Sequence, residues 1–101
     1  LLSRGGAVYE GCSVEVAHFE DSLCAERVAL FTAVAAGERS FDAVAVASDG
    51  DDLITPCGSC RQALVEFCDP AFRVLCEDGE GVERFALGDL LPAAFDGSAV
   101  E

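Results

Sequence analysis

Apolar and polar positions fall into blocks along the chain, and each block predicts an element. Ala43-Val44-Ala45-Val46-Ala47 is apolar without alternation. Such a run marks an interior strand covered on both faces, as in α/β sheets. The stretch Leu23 to Ala36 is rich in Ala, Leu, Val and Glu and stops at Gly37, which predicts a helix. Its apolar residues Val28, Ala29, Leu30, Phe31, Val34 and Ala35 cover most of the circumference, so burial on more than one side is expected. Leu1-Leu2, Ser3 to Gly6 and Ala7 to Tyr9 read as a hairpin turned by glycines, with Cys12–Val16 as a possible continuing strand. Pro56 introduces a second helix, about Ser59 to Phe67, ended near Asp69-Pro70. Phe72–Cys76 and Val82–Leu87 form a hairpin through Asp78-Gly79, and Leu90-Leu91-Pro92 a final turn. The order β-β-α-β-α-β-β predicts an α/β fold, a mixed sheet with helices packed on it.

Composition narrows the classes. At 101 residues a single domain spanning 1–101 is expected, and 51% hydrophobic residues supply a core that a disordered chain lacks. No apolar run approaches the roughly 18–20 residues of a membrane span. The formal charge is −13, with all six basic residues arginine. That charge repels polyphosphate and disfavours a nucleic-acid partner. No signal peptide is visible, and with no methionine in the chain the native N-terminus is expected to be missing. Six cysteines can form a disulfide framework. In a cytoplasmic chain with clustered cysteines, metal binding or thiol chemistry is the stronger reading.

Cys57-Gly58-Ser59-Cys60 follows Pro56 at a helix start, where unpaired N–H groups and the helix dipole favour thiolates. Alone, this spacing fits a metal chelate, a thioredoxin-like redox pair, a structural zinc knuckle or two buried cysteines. Cys24-Ala25-Glu26 lies at the other predicted helix start. Together the two motifs bring three thiolates and one carboxylate, and catalytic zinc takes three protein ligands with a fourth place for water. Glu26 is then placed to move protons rather than to bind metal.

Cys24-Ala25-Glu26-Arg27 and Pro56-Cys57-Gly58-Ser59-Cys60-Arg61-Gln62 resemble the signature of the small, three-cysteine cytidine deaminases. Gly11-Cys12-Ser13-Val14-Glu15 is similar to that family's ribose-binding G-x-N-x-E segment, and Leu90 to Phe95 to its C-terminal L-L-P-x-x-F. The resemblance implies a three-layer α/β/α fold with a mixed sheet and the zinc ligands at helix N-termini. It implies Cys24, Cys57 and Cys60 as ligands of one Zn²⁺ ion, and Glu26 as the group that carries protons from water to the ring nitrogen and to departing ammonia. By the same resemblance Arg27 offsets the excess thiolate charge, the Ala25 N–H holds the pyrimidine carbonyl, Ser13 and Glu15 contact the sugar, and Phe95 reaches a neighbouring subunit's site in a homotetramer. The implied activity is hydrolysis of cytidine and deoxycytidine to their uridine products in pyrimidine salvage, in the cytoplasm.

The chain departs from the pattern in places. Ser13 and Val16 stand where the family has Asn, and His18-Phe19 where Ser-Tyr is common, which puts the sugar preference in doubt. The family's N-terminal helix and P-Y-S-x-F segment lie before the point where this chain starts. Two other readings therefore stay open: a deaminase of a modified cytosine nucleoside, in the manner of blasticidin S deaminases, and a zinc-stapled fragment without activity. Arg61 and Gln62 read as structural support near the site. His18 reads as a partly exposed loop imidazole, and Cys12, Cys68 and Cys76 as small core residues. A Cys68–Cys76 disulfide is conceivable. The acidic runs at 49–52 and 77–80 read as solvated loops without calcium-loop spacing.

Overall fold

The computed structural model describes residues 1–48 and 53–95. Four strands form one sheet in the order β1-β2-β3-β4: β1 Leu2–Ser3, β2 Phe41–Val46, β3 Arg73–Glu77 and β4 Val82–Ala86. The β2/β3 pair is parallel and the two outer pairs are antiparallel, so the sheet is mixed, as expected. Helix α1, Ala25–Ala35, precedes β2, and α2, Gly58–Phe67, crosses over from β2 to β3. The two helices lie against each other, and a short α3, Leu87–Leu90, packs on β4 and α2. Leu30 and Ala33 of α1, Phe41 and Val44 of β2, Leu64 of α2, Phe72, Val74 and Cys76 at β3, and Leu87 make the core. Among the described residues no helix is long and apolar enough to cross a membrane.

Local chemistry explains the boundaries. The predicted N-terminal hairpin forms: Leu1 pairs with Tyr9 through both backbone groups, and Gly6, at φ 95°, closes the turn onto the Ser3 carbonyl. Helix α1 ends as predicted at Gly37, whose φ of 99° lets Gly37 N–H reach the Val34 carbonyl and Glu38 N–H the Ala33 carbonyl. This paired closure caps carbonyls that would otherwise be orphaned. The β3–β4 turn uses Gly79 at φ 86°, and Asp78 Oδ1 accepts the N–H groups of Glu80 and Gly81.

Several expectations need correction. Cys12–Val16 does not continue as a strand; it makes one bridge, Val14 with Leu23, and Leu23 is thereby drawn out of α1. Helix α1 buries only Ala29, Leu30 and Ala33, and Phe31 is 44% exposed, because only one side of the helix meets α2 and the sheet. Leu87 leaves β4 to begin α3. Cys12 is exposed rather than in the core, Cys68 is partly buried and Cys76 buried. All six thiols are free, so Cys68 and Cys76 form no disulfide. The run at 49–52 lies outside the described residues.

Candidate active site

Three cysteines from two helix N-termini meet at one point. Cys24 is the N-cap of α1 and Cys57 the N-cap of α2, with Cys60 one turn into that helix. The Cys24 and Cys57 sulfurs are 3.6 Å apart, those of Cys57 and Cys60 3.5 Å, and all three lie within 4.8 Å of one another. Sulfurs sharing one tetrahedral zinc at a Zn–S distance of about 2.3 Å stand about 3.8 Å apart. A disulfide needs about 2.05 Å. The spacing therefore fits a shared ion, and three thiols leave a fourth coordination place for water.

The electrostatics around the thiols differ from one to the next. Burial pushes the Cys57 thiol up, but the Cys60 backbone N–H, the Cys60 and Cys24 thiols and the Ser59 N–H outweigh it, and the net shift is down. This is what a helix N-terminus does for an N-cap thiolate. Cys60 is fully buried, and its thiol is pushed up by burial, by its hydrogen bond to Cys57 and by the Glu26 carboxylate. Arg27, in the first turn of α1, directs Nη2 at the Cys24 sulfur at 3.8 Å, which holds its guanidinium above the ordinary range. Among the described residues its Nε is buried and has no hydrogen-bond partner. A buried cationic donor beside three thiols fits an anionic cluster there better than three neutral thiols.

Beside the cysteines a cleft of about 520 Å³ is lined by Cys12, Ser13, Cys24, Ala25, Glu26 and Cys57, with Val46, Ala47, Ser48, Ile54 and Thr55 as its opposite wall. Glu26 also faces an adjoining cavity of about 330 Å³ that runs past Tyr9 and Gly11 along β2. Gly11 is seated directly on α1: a Cβ there would come within 2.6 Å of the Ala29 backbone nitrogen and closer still to the Ala25 carbonyl. Thus Cys24, Ala25, Glu26, Cys57 and Ser13 share one cleft. Glu15 does not line it. Glu15 opens, with Ser13, Arg27 and Phe19, on a separate cavity of about 500 Å³ on the other side of Cys24 and Cys57. Phe95 lies outside the cleft, 59% exposed, its carbonyl accepting a hydrogen bond from Gln62 Nε2 at 2.6 Å. His18 is exposed and pairs with Asp21 at 3.0 Å, away from the cleft.

Sequence reasoning missed the far wall. Ile54 and Thr55 fall between the loop at 49–52 and Pro56 and drew no reading, and Ala47 read as interior strand. Their one signal was position, between the end of an interior strand and a Pro-introduced helix, where open α/β sheets place their crevices.

Residues 1–76 match a family described as the cytidine and deoxycytidylate deaminase zinc-binding region. The chain is 42% identical over 96 residues to a cytidine deaminase of Sporosarcina psychrophila, covering 94% of this chain and 71% of that protein. It is 41% identical over 97 residues to a probable cytidine deaminase of Dictyostelium discoideum, covering 94% of this chain and 65% of that protein. A 1.6 Å crystal structure of cytidine deaminase from Burkholderia pseudomallei superposes with a TM-score of 0.88 at 43% identity, covering 94% of this chain and 77% of that one. The cytidine deaminase structure from Mycobacterium tuberculosis gives 0.76 at 33% identity, covering 93% and 73%. On the thiol cluster, the match over its first 76 residues and these relatives, the chain belongs to the cytidine and deoxycytidylate deaminase family.

Proposed function

We propose that this chain hydrolyses the amino group of cytidine and deoxycytidine, releasing ammonia and the corresponding uridine product. The observation that carries the reading is the placement of Glu26 in the same cleft as Cys24 and Cys57, next in sequence to Arg27, whose guanidinium contacts the Cys24 sulfur. Cys24, Cys57 and Cys60 would hold a zinc ion, which when bound acidifies a water in its open position to a pKa near 7. Glu26, two residues past the α1 N-cap, accepts the water proton, delivers it to the ring nitrogen beside the amino-bearing carbon, and passes a proton to the leaving amine. One C–O bond forms and one C–N bond breaks, with water consumed. The Ala25 N–H, first in α1 and without an intrahelical partner, holds the pyrimidine carbonyl. Arg27 offsets the single negative charge that three thiolates leave on a divalent ion. Ser13, which lines the cleft, supplies a sugar contact.

The finer parts of the reading follow from the same substrate. A nucleoside deaminase of this kind serves pyrimidine salvage in the cytoplasm. Val8, Phe19 and Phe95 are 69%, 79% and 59% exposed, apolar area of the sort that other copies of a chain cover. A homotetramer in which Phe95 reaches a neighbouring cleft accounts for its outward placement.

The test is conversion of cytidine and deoxycytidine by the zinc-loaded chain, with Glu26→Gln alongside. Turnover that falls about 100- to 10,000-fold in the variant, at unchanged zinc content, is expected. A folded, zinc-loaded wild type that leaves both nucleosides intact overturns the proposal.

A further inference from the structure

Cys60 is fixed by the interior of α2 and Cys24 by the packing of α1, but Cys57 is exposed and follows a run, 53–57, with no regular structure. An exposed ligand at the end of an irregular run needs something to hold it in register with its partners. Arg61, one turn into α2, does this with its whole guanidinium. Its Nε donates to the Pro56 carbonyl at 2.7 Å, its Nη2 to Thr55 Oγ1 at 2.8 Å and its Nη1 to the Leu90 carbonyl at 2.8 Å. Two of the three bonds land on the residues just before Cys57, and Pro56 is itself buried. The third ties the same guanidinium to the end of α3. A planar fork with three aligned donors fixes these acceptors relative to one another in a way a single ammonium cannot.

Resting on the reading of Cys24, Cys57 and Cys60 as the metal ligands, we infer that Arg61 is a positioning residue for the metal centre: it holds Cys57 at chelating distance through Pro56 and Thr55 and locks that geometry to the C-terminal turn. Groups that orient a ligand without touching the metal are worth about 10- to 100-fold in metal affinity. A residue that merely stabilises the fold would weaken the zinc-free and zinc-loaded forms alike. A positioning residue weakens the loaded form more, because the geometry it enforces is the one the ion rewards.

The experiment measures zinc affinity by chelator competition on the full chain, with melting temperatures of zinc-free and zinc-loaded protein, for wild type, Arg61→Gln, Arg61→Lys and the control Arg73→Gln. The expected result is a 10- to 100-fold loss of zinc affinity in Arg61→Gln, a smaller loss in Arg61→Lys, none in Arg73→Gln, and a reduced zinc-induced rise in melting temperature. Unchanged affinity in Arg61→Gln, or equal losses of melting temperature with and without zinc, overturns the inference while leaving the metal site standing. Should Arg61→Gln fail to fold, Thr55→Val removes only the Nη2 arm; a several-fold loss of affinity supports the inference and unchanged affinity overturns it. A wild type that binds no zinc overturns the metal-site reading and this inference with it.

Discussion

Replacing Gly11 by alanine adds a single methyl group where the segment before α1 lies against that helix's backbone. The new Cβ would lie 2.6 Å from Ala29 N and 3.2 Å from Ala29 Cα, with the Ala25 carbonyl nearer still. Ordinary contact begins at 3.4 Å, so the segment and helix must part by about 0.8 Å at the Ala29 nitrogen and by more at the Ala25 carbonyl. The atoms in the way are helix backbone, which no side-chain rotation can clear. Overpacking of this kind costs about 1–3 kcal/mol, and an obstacle made of backbone puts this case in the upper half. For a chain of this size that corresponds to a melting temperature lower by at least about 10 °C.

The same displacement reaches the chemistry. Ala25 and Ala29 flank Glu26 on α1, so pushing them shifts Glu26 and Cys24 against the fixed ligands of α2. A misplacement approaching 1 Å costs up to about 100-fold in rate. Gly81→Ala is the matched control: among the described residues nothing lies within 4 Å of its added methyl. It should stay within about 0.5 kcal/mol of wild type. Thermal melts and steady-state cytidine turnover of both variants decide the matter. Gly11→Ala melting with the control, at turnover within twofold of wild type, would refute the close-contact argument.

Arg27→Gln removes the cation beside Cys24 and should lower turnover by about 10- to 100-fold with zinc still bound; metal analysis and kinetics on one preparation check this. Stripping zinc with a chelator should lower the melting temperature, since an ion at 1,000 times its dissociation constant contributes about 4 kcal/mol; equal melts with and without metal would contradict the ligand assignment. Burial, then the Asp69 charge, pushes the Cys68 thiol from 9.0 up to about 12, so the folded state keeps a proton the unfolded state loses. Stability from this group is complete below pH 9 and falls as pH rises toward 12, by about 1 kcal/mol between pH 8 and 10 once solvent screening at a half-buried site is allowed for. Cys68→Ala should flatten that part of a denaturation-against-pH curve.

What could be read from the sequence was whatever local rules decide. Gly37, an apolar run without alternation and Asp78-Gly79 each act through a few neighbouring residues, and α1, β2 and the β3–β4 hairpin appear close to their expected places. The three cysteines were legible because spacing at two helix starts is also local. Val14 to Leu23 failed for the opposite reason: a backbone bridge between residues outside any shared element outweighed the helix propensity of Leu23, and Cys12 stays exposed. Phe31 failed because apolar composition does not say how many sides of a helix find a neighbour. Gly11 looked like part of a sugar-binding segment. Its close seat on Ala25 and Ala29 depends on the approach of two backbones, which no one-dimensional pattern encodes.

The position of the site follows from the sheet. The parallel β2–β3 pair requires a crossover, and α2 supplies it, lying beside α1. Both helices begin near the carboxyl end of β2, where Val46, Ala47 and Ser48 form one wall of the cleft. Ligands of open α/β sheets bind at this end of the strands. Two helix N-termini converging there bring partial positive charge from both dipoles to one spot, and Arg27 adds a full charge. Three thiolates are costly to gather in a protein that already carries −13, so the local field must be opposite in sign to the global one. That is why the ligands sit at the N-caps and in the first turn of helices rather than on the sheet: the fold itself supplies the cationic environment that a cysteine-only metal site needs.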